Sequence, residues 1–135
     1  MPLLRECCEE MGYPFDYTSI FLGMVHYIKT GYVAVMEQED GEIVGISGLM
    51  FAPHICDLSR VRAVEFLWHS KPSLKAEPGR RKEIMIRLLE DMESAAVQAG
   101  MPLIVSTSAG KSGRMGSYLE TQGFIPSEVS YRKEI

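Results

Sequence analysis

The segment from Glu65 to Thr107, EFLWHSKPSLKAEPGRRKEIMIRLLEDMESAAVQAGMPLIVST, decides the fold of this chain. It opens with a β-rich run that stops at Lys71-Pro72-Ser73. A helix follows from Lys82 to Gly100, because apolar residues recur there at spacings of three and four. The segment closes with a short apolar run, Pro102 to Thr107, typical of a buried strand. A long helix between two strands predicts a parallel pair joined by a right-handed crossover.

The start of this helix carries an unusual charge pattern. Arg80, Arg81 and Lys82 fill its first turn, and no Ser, Thr, Asp or Asn stands at the capping position. Exposed cations at the positive end of a helix dipole cost about 0.3–1 kcal/mol each. A bound anion would make this arrangement of cations favourable, since free N–H groups and guanidinium groups together bind phosphate. Two interpretations remain open: a phosphate cradle, or a solvated basic loop that includes Lys71 and Lys75.

Composition limits the class of protein. The chain has 135 residues, 46% of them hydrophobic, which suits one domain spanning 1–135. Its net charge of −4 argues against nucleic-acid binding. No apolar run predicts a membrane span, and the opening MPLLRECCEE lacks the layout of a secretory signal, so we expect a cytoplasmic protein. Three cysteines without metal-ligand spacing predict reduced thiols and no metal site, namely Cys7, Cys8 and Cys56.

The first half of the chain predicts two helices and a hairpin. One helix spans Leu3 to Met11, and a second runs from Tyr17 to Ile28 with Asp16 or Thr18 as its cap. Two β-rich runs then flank Asp40-Gly41, a strong hairpin signal, at Tyr32–Met36 and Ile43–Phe51. We expect a polar loop from Pro53 to Ser59 and a further strand from Val61 to Ser70.

The C-terminal part predicts one more helix and one more strand. Ser112 caps the helix, and Gly123 with Phe124 ends it through a left-handed residue and an apolar clamp. The strand runs from Glu128 to Lys133. The full order indicates an α/β (α+β) protein with a mixed sheet and helices on both faces.

This order of elements, with the Glu65–Ser70 strand, the basic loop and long helix, Val105, and the closing Tyr118 to Phe124 segment, resembles the GNAT N-acetyltransferase superfamily from Tyr32 to Phe124. The resemblance implies a mostly antiparallel sheet with a central parallel strand pair. The first strand of the family is missing, which leaves a sheet edge that a homodimer would cover. The stretches WHSKPSL and STS also resemble short chains encoded by tailed phages.

The same resemblance implies acetyl-CoA as co-substrate. Its pantetheine arm would pair with the backbone of Trp68, His69 and Ser70, and its pyrophosphate would lie on the following helix start. The family's spaced glycines are replaced here by Glu83 and Met85, and an asparagine by Ser112. The implied binding residues are Trp68, His69, Ser70, Gly79, Arg80, Arg81, Lys82, Glu83, Ile84, Met85 and Ser112.

The implied reaction is acetyl transfer to a primary amine of a small molecule or a protein. An alkyl ammonium costs roughly 4–5 kcal/mol to deprotonate at pH 7, so a base must help. Glu65 is the candidate base, and Tyr118 the candidate donor to the leaving thiolate. Each has a plain alternative, since a strand carboxylate can face water and a helix tyrosine can pack as a surface ring. Two further functions stay open: an inactive GNAT-fold binding protein, and a binder of small anions or nucleotide phosphates.

Overall fold

The structure is a computed structural model that describes residues 2–106, 114–127 and 133. The chain divides into two compact units, Met1–Val105 and Ser106–Ile135, and each is described by itself. The first unit contains three helices, a 3-10 turn and four strands: α1 Pro2–Met11, α2 Tyr17–Thr30, β1 Tyr32–Glu37, β2 Ile43–His54, β3 Asp57–Ser70, the 3-10 turn Pro72–Ala76, α3 Pro78–Ala99 and β4 Leu103–Ile104. The second unit contains α4 Arg114–Thr121.

The four strands form one sheet in the order β1-β2-β3-β4. The first three pair antiparallel, and β4 pairs parallel to β3. The predicted hairpin and the predicted parallel pair are therefore both confirmed. Gly41 takes a φ of 85° in the hairpin loop, a conformation that favours glycine. Within the described residues, the parallel pair lies at one end of the sheet and β1 lies at the other.

Helices cover both faces of the sheet, as two consecutive residues of β2 show. A Cβ at Gly45 would come within 3.0 Å of side-chain atoms of Ile84 and Leu88, so this face carries α3. The next residue, Ile46, is completely buried in a cluster with Leu3, Leu4 and Cys7 of α1, and Ile20 and Met24 of α2 pack against that cluster. Because successive strand residues point to opposite faces, α1 and α2 lie on the other side.

Both predicted N-terminal helices are present; α1 begins one residue earlier than predicted, at Pro2, and α2 ends two residues later, at Thr30. The carboxylate of Asp16 caps α2 by accepting a hydrogen bond from the backbone N–H of Ser19 at 3.2 Å. Gly31 follows the helix at its C-terminus and donates to the carbonyl of Tyr27 at 2.8 Å. Of the helices that the structure describes, none has the length and hydrophobicity needed to cross a membrane.

Three sequence predictions need correction. The expected loop from Pro53 to Ser59 is wrong, because β2 and β3 continue through it and leave only a turn at positions 55–56. Helix α3 begins at Pro78, so Lys82 falls in its second turn. The strand expected from Pro102 to Thr107 is reduced to β4, and Thr107 lies outside the described residues.

In the second unit, α4 ends as predicted. Gly123 has a φ of 89°, and the N–H of Phe124 donates to the carbonyl of Leu119 at 3.0 Å. The predicted cap Ser112 and the predicted strand positions 128–132 lie outside the described residues, while Lys133 carries no assigned strand.

Candidate active site

A gap opens along β3 where its parallel partner stops. The pairing between β3 and β4 covers two residue pairs, Ala63 with Leu103 and Val64 with Ile104. In the described part of the first unit, β3 has no strand on this side from Glu65 onward. Within the described residues, the pairing of the two parallel strands therefore ends at Val64, and no described strand lies along this side of the last six residues of β3, a stretch that we call the gap.

A β-bulge lies at the same point. Gly48 of β2 pairs with Leu67 and the next residue, Leu49, pairs with Glu65, so Phe66 is an extra residue in β3. Phe66 stacks on Tyr27 of α2 with ring centroids 4.0 Å apart. A bulge bends its strand and increases the local twist, here next to the point where the described pairing with β4 ends.

The open edge of β3 presents backbone groups to this gap. The N–H of Lys71 donates to the carbonyl of Val44 at 2.8 Å, so it points toward β2. Neighbouring strand residues alternate in direction, so the backbone of His69 also faces β2, whereas that of Trp68 and Ser70 faces the gap. Of the three predicted pantetheine-binding residues, Trp68 and Ser70 thus direct backbone groups to this side, and the carbonyl of Ser70 already accepts from the guanidinium of Arg81 at 3.3 Å.

Glu65 is half-buried at the entrance to the gap. It lies opposite Leu49 on β2 and immediately before the bulge. It also lies two residues after the fully buried Ala63 and shares a strand face with it. The predicted base is therefore located at the separation of the two strands.

The side chains of Trp68, Ser70 and His69 contact the surrounding elements. Trp68 is 5% exposed, and its Nε1–H donates to the carbonyl of Met85 in α3 at 2.9 Å. Ser70 is 2% exposed, and its Oγ accepts from Nε of Arg81 at 2.9 Å. The pKa of the His69 imidazole lies below its usual 6.5, chiefly because the ring is buried. The charge of Glu10 acts to raise this pKa, and the charge of Arg81 acts to lower it. His69 is therefore neutral at pH 7.

The predicted phosphate loop is held by internal contacts. Arg81 makes two hydrogen bonds of 3.2 Å to the carboxylate of Glu10 in α1 and a further one of 3.3 Å to the carbonyl of Ser70. Arg80 is exposed and donates to Oε1 of Gln38 at 2.8 Å. Gly79 is exposed, and nothing lies within 4 Å of where its Cβ would be.

The remaining predicted residues of α3 divide between surface and core. Lys82 and Glu83 are exposed in the second turn. Ile84 is 3% exposed and packs over Gly45, and the carbonyl of Met85 accepts from Trp68. Ile84 and Met85 therefore help to join the helix to the sheet.

The predicted acid Tyr118 lies in the second unit. Its side chain is half-buried in α4, and its backbone carbonyl accepts from the hydroxyl of Thr121 at 2.6 Å. Its catalytic role stays a prediction. Among the free thiols, Cys7 is buried, and burial together with Glu10 raises its pKa to about 12, so it is protonated at neutral pH.

Two features of the site were not anticipated from the sequence. The first is the α1 carboxylates, since Glu10 contacts a residue 71 positions away. The second is the bulge, for which the sequence does contain a signal. Three consecutive apolar residues, Phe66 to Trp68, interrupt the alternation of the strand, as a bulge with two residues on one face would do.

The chain has a GNAT-like fold, which it shares with acetyltransferases of known structure. One match is an aminoglycoside acetyltransferase from an uncultured soil metagenomic sample. The aligned region covers 99% of this chain and 86% of that chain, with a TM-score of 0.72 and 13% sequence identity. For a Trypanosoma brucei acetyltransferase, the aligned region covers 90% of this chain and 82% of that chain, with a TM-score of 0.66 and 18% sequence identity. For glucosamine-6-phosphate N-acetyltransferase from Arabidopsis thaliana, the aligned region covers 87% of this chain and 75% of that chain, with a TM-score of 0.64 and 14% sequence identity.

By sequence, no family model and no curated protein matches the chain. At the identities of the structural matches, the likeness establishes the fold alone.

Proposed function

We propose that this protein transfers an acetyl group from acetyl-CoA to a primary amine of a small molecule or a protein. The observation that carries the proposal is the side of β3 beyond Val64, which no described strand pairs and toward which the backbone groups of Trp68 and Ser70 are directed. An extended thioester arm requires such an edge, because it pairs with a strand as an additional strand would. The shared fold with acetyltransferases supports the same reaction class.

The proposed reaction gives each predicted residue a distinct part. Glu65 accepts a proton from the attacking ammonium, directly or through water. The nitrogen lone pair then attacks the thioester carbonyl, and a backbone N–H at Trp68 or Ser70 donates to the oxyanion that forms. Collapse of this intermediate breaks the carbon–sulfur bond. The thiolate then takes a proton, for which Tyr118 remains the proposed donor.

The sequence left open a binder of small anions or nucleotide phosphates. That alternative depended on unpaired cations at the start of α3, and Arg81 is paired there with Glu10. Lys71, in the same patch, forms ion pairs with Glu42 and Glu6. The structure gives this alternative no specific support.

The direct test is thiol release from acetyl-CoA with a panel of primary amines, with acetylated product identified by mass spectrometry. We expect turnover with at least one amine class. Glu65→Gln should lower kcat by about 10²-fold or more and leave the Kd for CoA within about threefold, because it removes the base and keeps the shape. Glu90→Gln, the same exchange at an exposed position of α3 outside the predicted site, is the matched control.

Cys56 is a free and exposed thiol, so a blank containing protein without donor is required. Binding of CoA without thiol release from any amine would instead indicate an inactive protein of the same fold.

A further inference from the structure

We infer that this protein recognises its acyl donor through the pantetheine arm and not through the diphosphate, so its substrate class is thioesters of pantetheine in general. The inference rests on the proposed function and deepens it. It follows from what the first turn of α3 already binds within the chain.

The backbone N–H groups of this turn are largely used. Pro78 occupies the first helical position and has no N–H. The N–H groups of Arg80 and Arg81 both donate to the carbonyl of Glu77, at 2.9 and 3.3 Å. Gly79 supplies the remaining N–H. A diphosphate grip at a helix start needs several N–H groups directed at one anion, and this turn offers one.

Carboxylates of α1 take the place of an external anion. The carboxylate of Glu10 accepts hydrogen bonds from both terminal nitrogens of Arg81. The carboxylate of Glu6 accepts one from the backbone N–H of Ser73 at 3.0 Å. The side chains of Lys71 and Arg81 are only 12% and 25% exposed within these contacts. A diphosphate would have to displace these carboxylates or lie beside them, and like charges at such distances repel.

The exposed cations that remain are poor phosphate ligands as placed. Arg80 and Lys82 lie on the surface, where a single ion pair contributes about 0–1 kcal/mol and is screened by salt. The edge of β3, in contrast, presents the backbone of Trp68, which makes none of these contacts, whereas at Ser70 the carbonyl and the hydroxyl accept from Arg81. Recognition is thereby concentrated at the thioester end of the donor.

The test is the binding of three free thiols to the full chain by isothermal titration calorimetry: CoA, 4′-phosphopantetheine and pantetheine. We expect the three dissociation constants to agree within about tenfold, whereas a grip on the diphosphate would separate CoA from pantetheine by more than that. Separation by more than about tenfold overturns the inference. If none of the three binds, the proposed function itself fails, which is a distinct result.

A pair of variants gives an independent readout. Arg80→Ala combined with Lys82→Ala should change the Kd for CoA by less than about threefold, as should the control Arg87→Ala on the exposed side of the same helix. A loss of CoA affinity of more than about tenfold in the double variant, with pantetheine affinity unchanged, would also overturn the inference.

Discussion

The guanidinium of Arg81 at the start of α3 is bound to the carboxylate of Glu10 in α1 by two hydrogen bonds of 3.2 Å. The same guanidinium reaches Oγ of Ser70 at the end of β3. One side chain therefore joins the first helix, the open strand and the helix of the crossover. Charge that the sequence suggested for a ligand serves in the structure to hold three elements together.

This contact predicts a measurable coupling. Arg81→Gln and Glu10→Gln should each lower the free energy of unfolding, and a double-mutant cycle should give a coupling of about 0.5–1 kcal/mol, because the pair is partly exposed. Urea unfolding at low and high salt measures it, and salt should reduce the coupling. Arg87→Gln, on the exposed side of the same helix, is the control. A coupling of zero at low salt would contradict the assignment.

The two buried serines of the sheet predict opposite effects on stability. Ser47 is completely buried, and within the described residues its Oγ has no hydrogen-bond partner, whereas Oγ of Ser70 accepts from Arg81. Removing an unsatisfied buried hydroxyl relieves a desolvation cost, so Ser47→Ala should stabilise the protein by about 1 kcal/mol.

Ser70→Ala is the matched comparison for Ser47→Ala. It should destabilise by about 1 kcal/mol or more, because it removes the acceptor of a charged donor. Both variants are read from urea unfolding curves at neutral pH. The same sign for the two changes would show that the pairing of these hydroxyls does not decide their effect.

The bulge predicts that Gly48 is required for the open edge. A Cβ at this position would lie 2.4 Å from Cζ of Phe66, so Gly48→Ala must displace that ring from its stack on Tyr27. We expect a loss of about 1–3 kcal/mol in stability, together with weaker pantetheine binding because the ring belongs to the bulge residue.

Two further variants make the Gly48 prediction specific. Gly23→Ala in α2 meets nothing within 4 Å and should be stabilising by about 0.5–1 kcal/mol. Gly48→Ala combined with Phe66→Leu should recover part of the stability, since the smaller side chain leaves room for the new methyl. If the double variant recovers no stability, the strain in Gly48→Ala does not come from the contact with Phe66.

His69 predicts a pH dependence of stability. Its pKa is lowered in the folded protein, chiefly by burial, so the folded state binds the proton less readily than the unfolded state. The contribution is fully present above the unfolded value of 6.5 and is lost as pH falls through the lower folded pKa. The groups that act on this imidazole are Glu10 from α1 and Arg81 from α3.

The measurement for His69 is the free energy of unfolding between about pH 5 and 7.5. His69→Gln should flatten the decline on the acid side, whereas the same exchange at exposed His26 should leave it unchanged. An unchanged acid slope in the His69 variant would assign the decline to carboxylates.

Much of the fold follows from local signals. The apolar repeat of α3, the cap at Asp16, the turn at Gly41 and the ending at Gly123 each require only a few neighbouring residues, so they were predictable. The strands around positions 53–59 were not, because polar residues there satisfy themselves locally within an extended hairpin. Asp57, for example, accepts from Ser59 at 3.1 Å.

The candidate site was predictable in part. Glu65, Trp68 and Ser70 could be placed on the strand before the basic loop, and the structure has all three on β3 beyond its last described pair with β4. The pairing of Arg81 was not predictable, since its partner lies 71 positions away in a helix whose acidic residues carry no local signal.

The sequence by itself determined the order of the elements, the antiparallel hairpin and the parallel crossover, because periodicity, glycine and proline act over a few residues. Only the tertiary structure decided where β3 and β4 separate, which residue forms the bulge and which cations are already neutralised. Those features depend on strand register and on ion pairs between distant segments, and both arise only when helices pack on the two faces of the sheet.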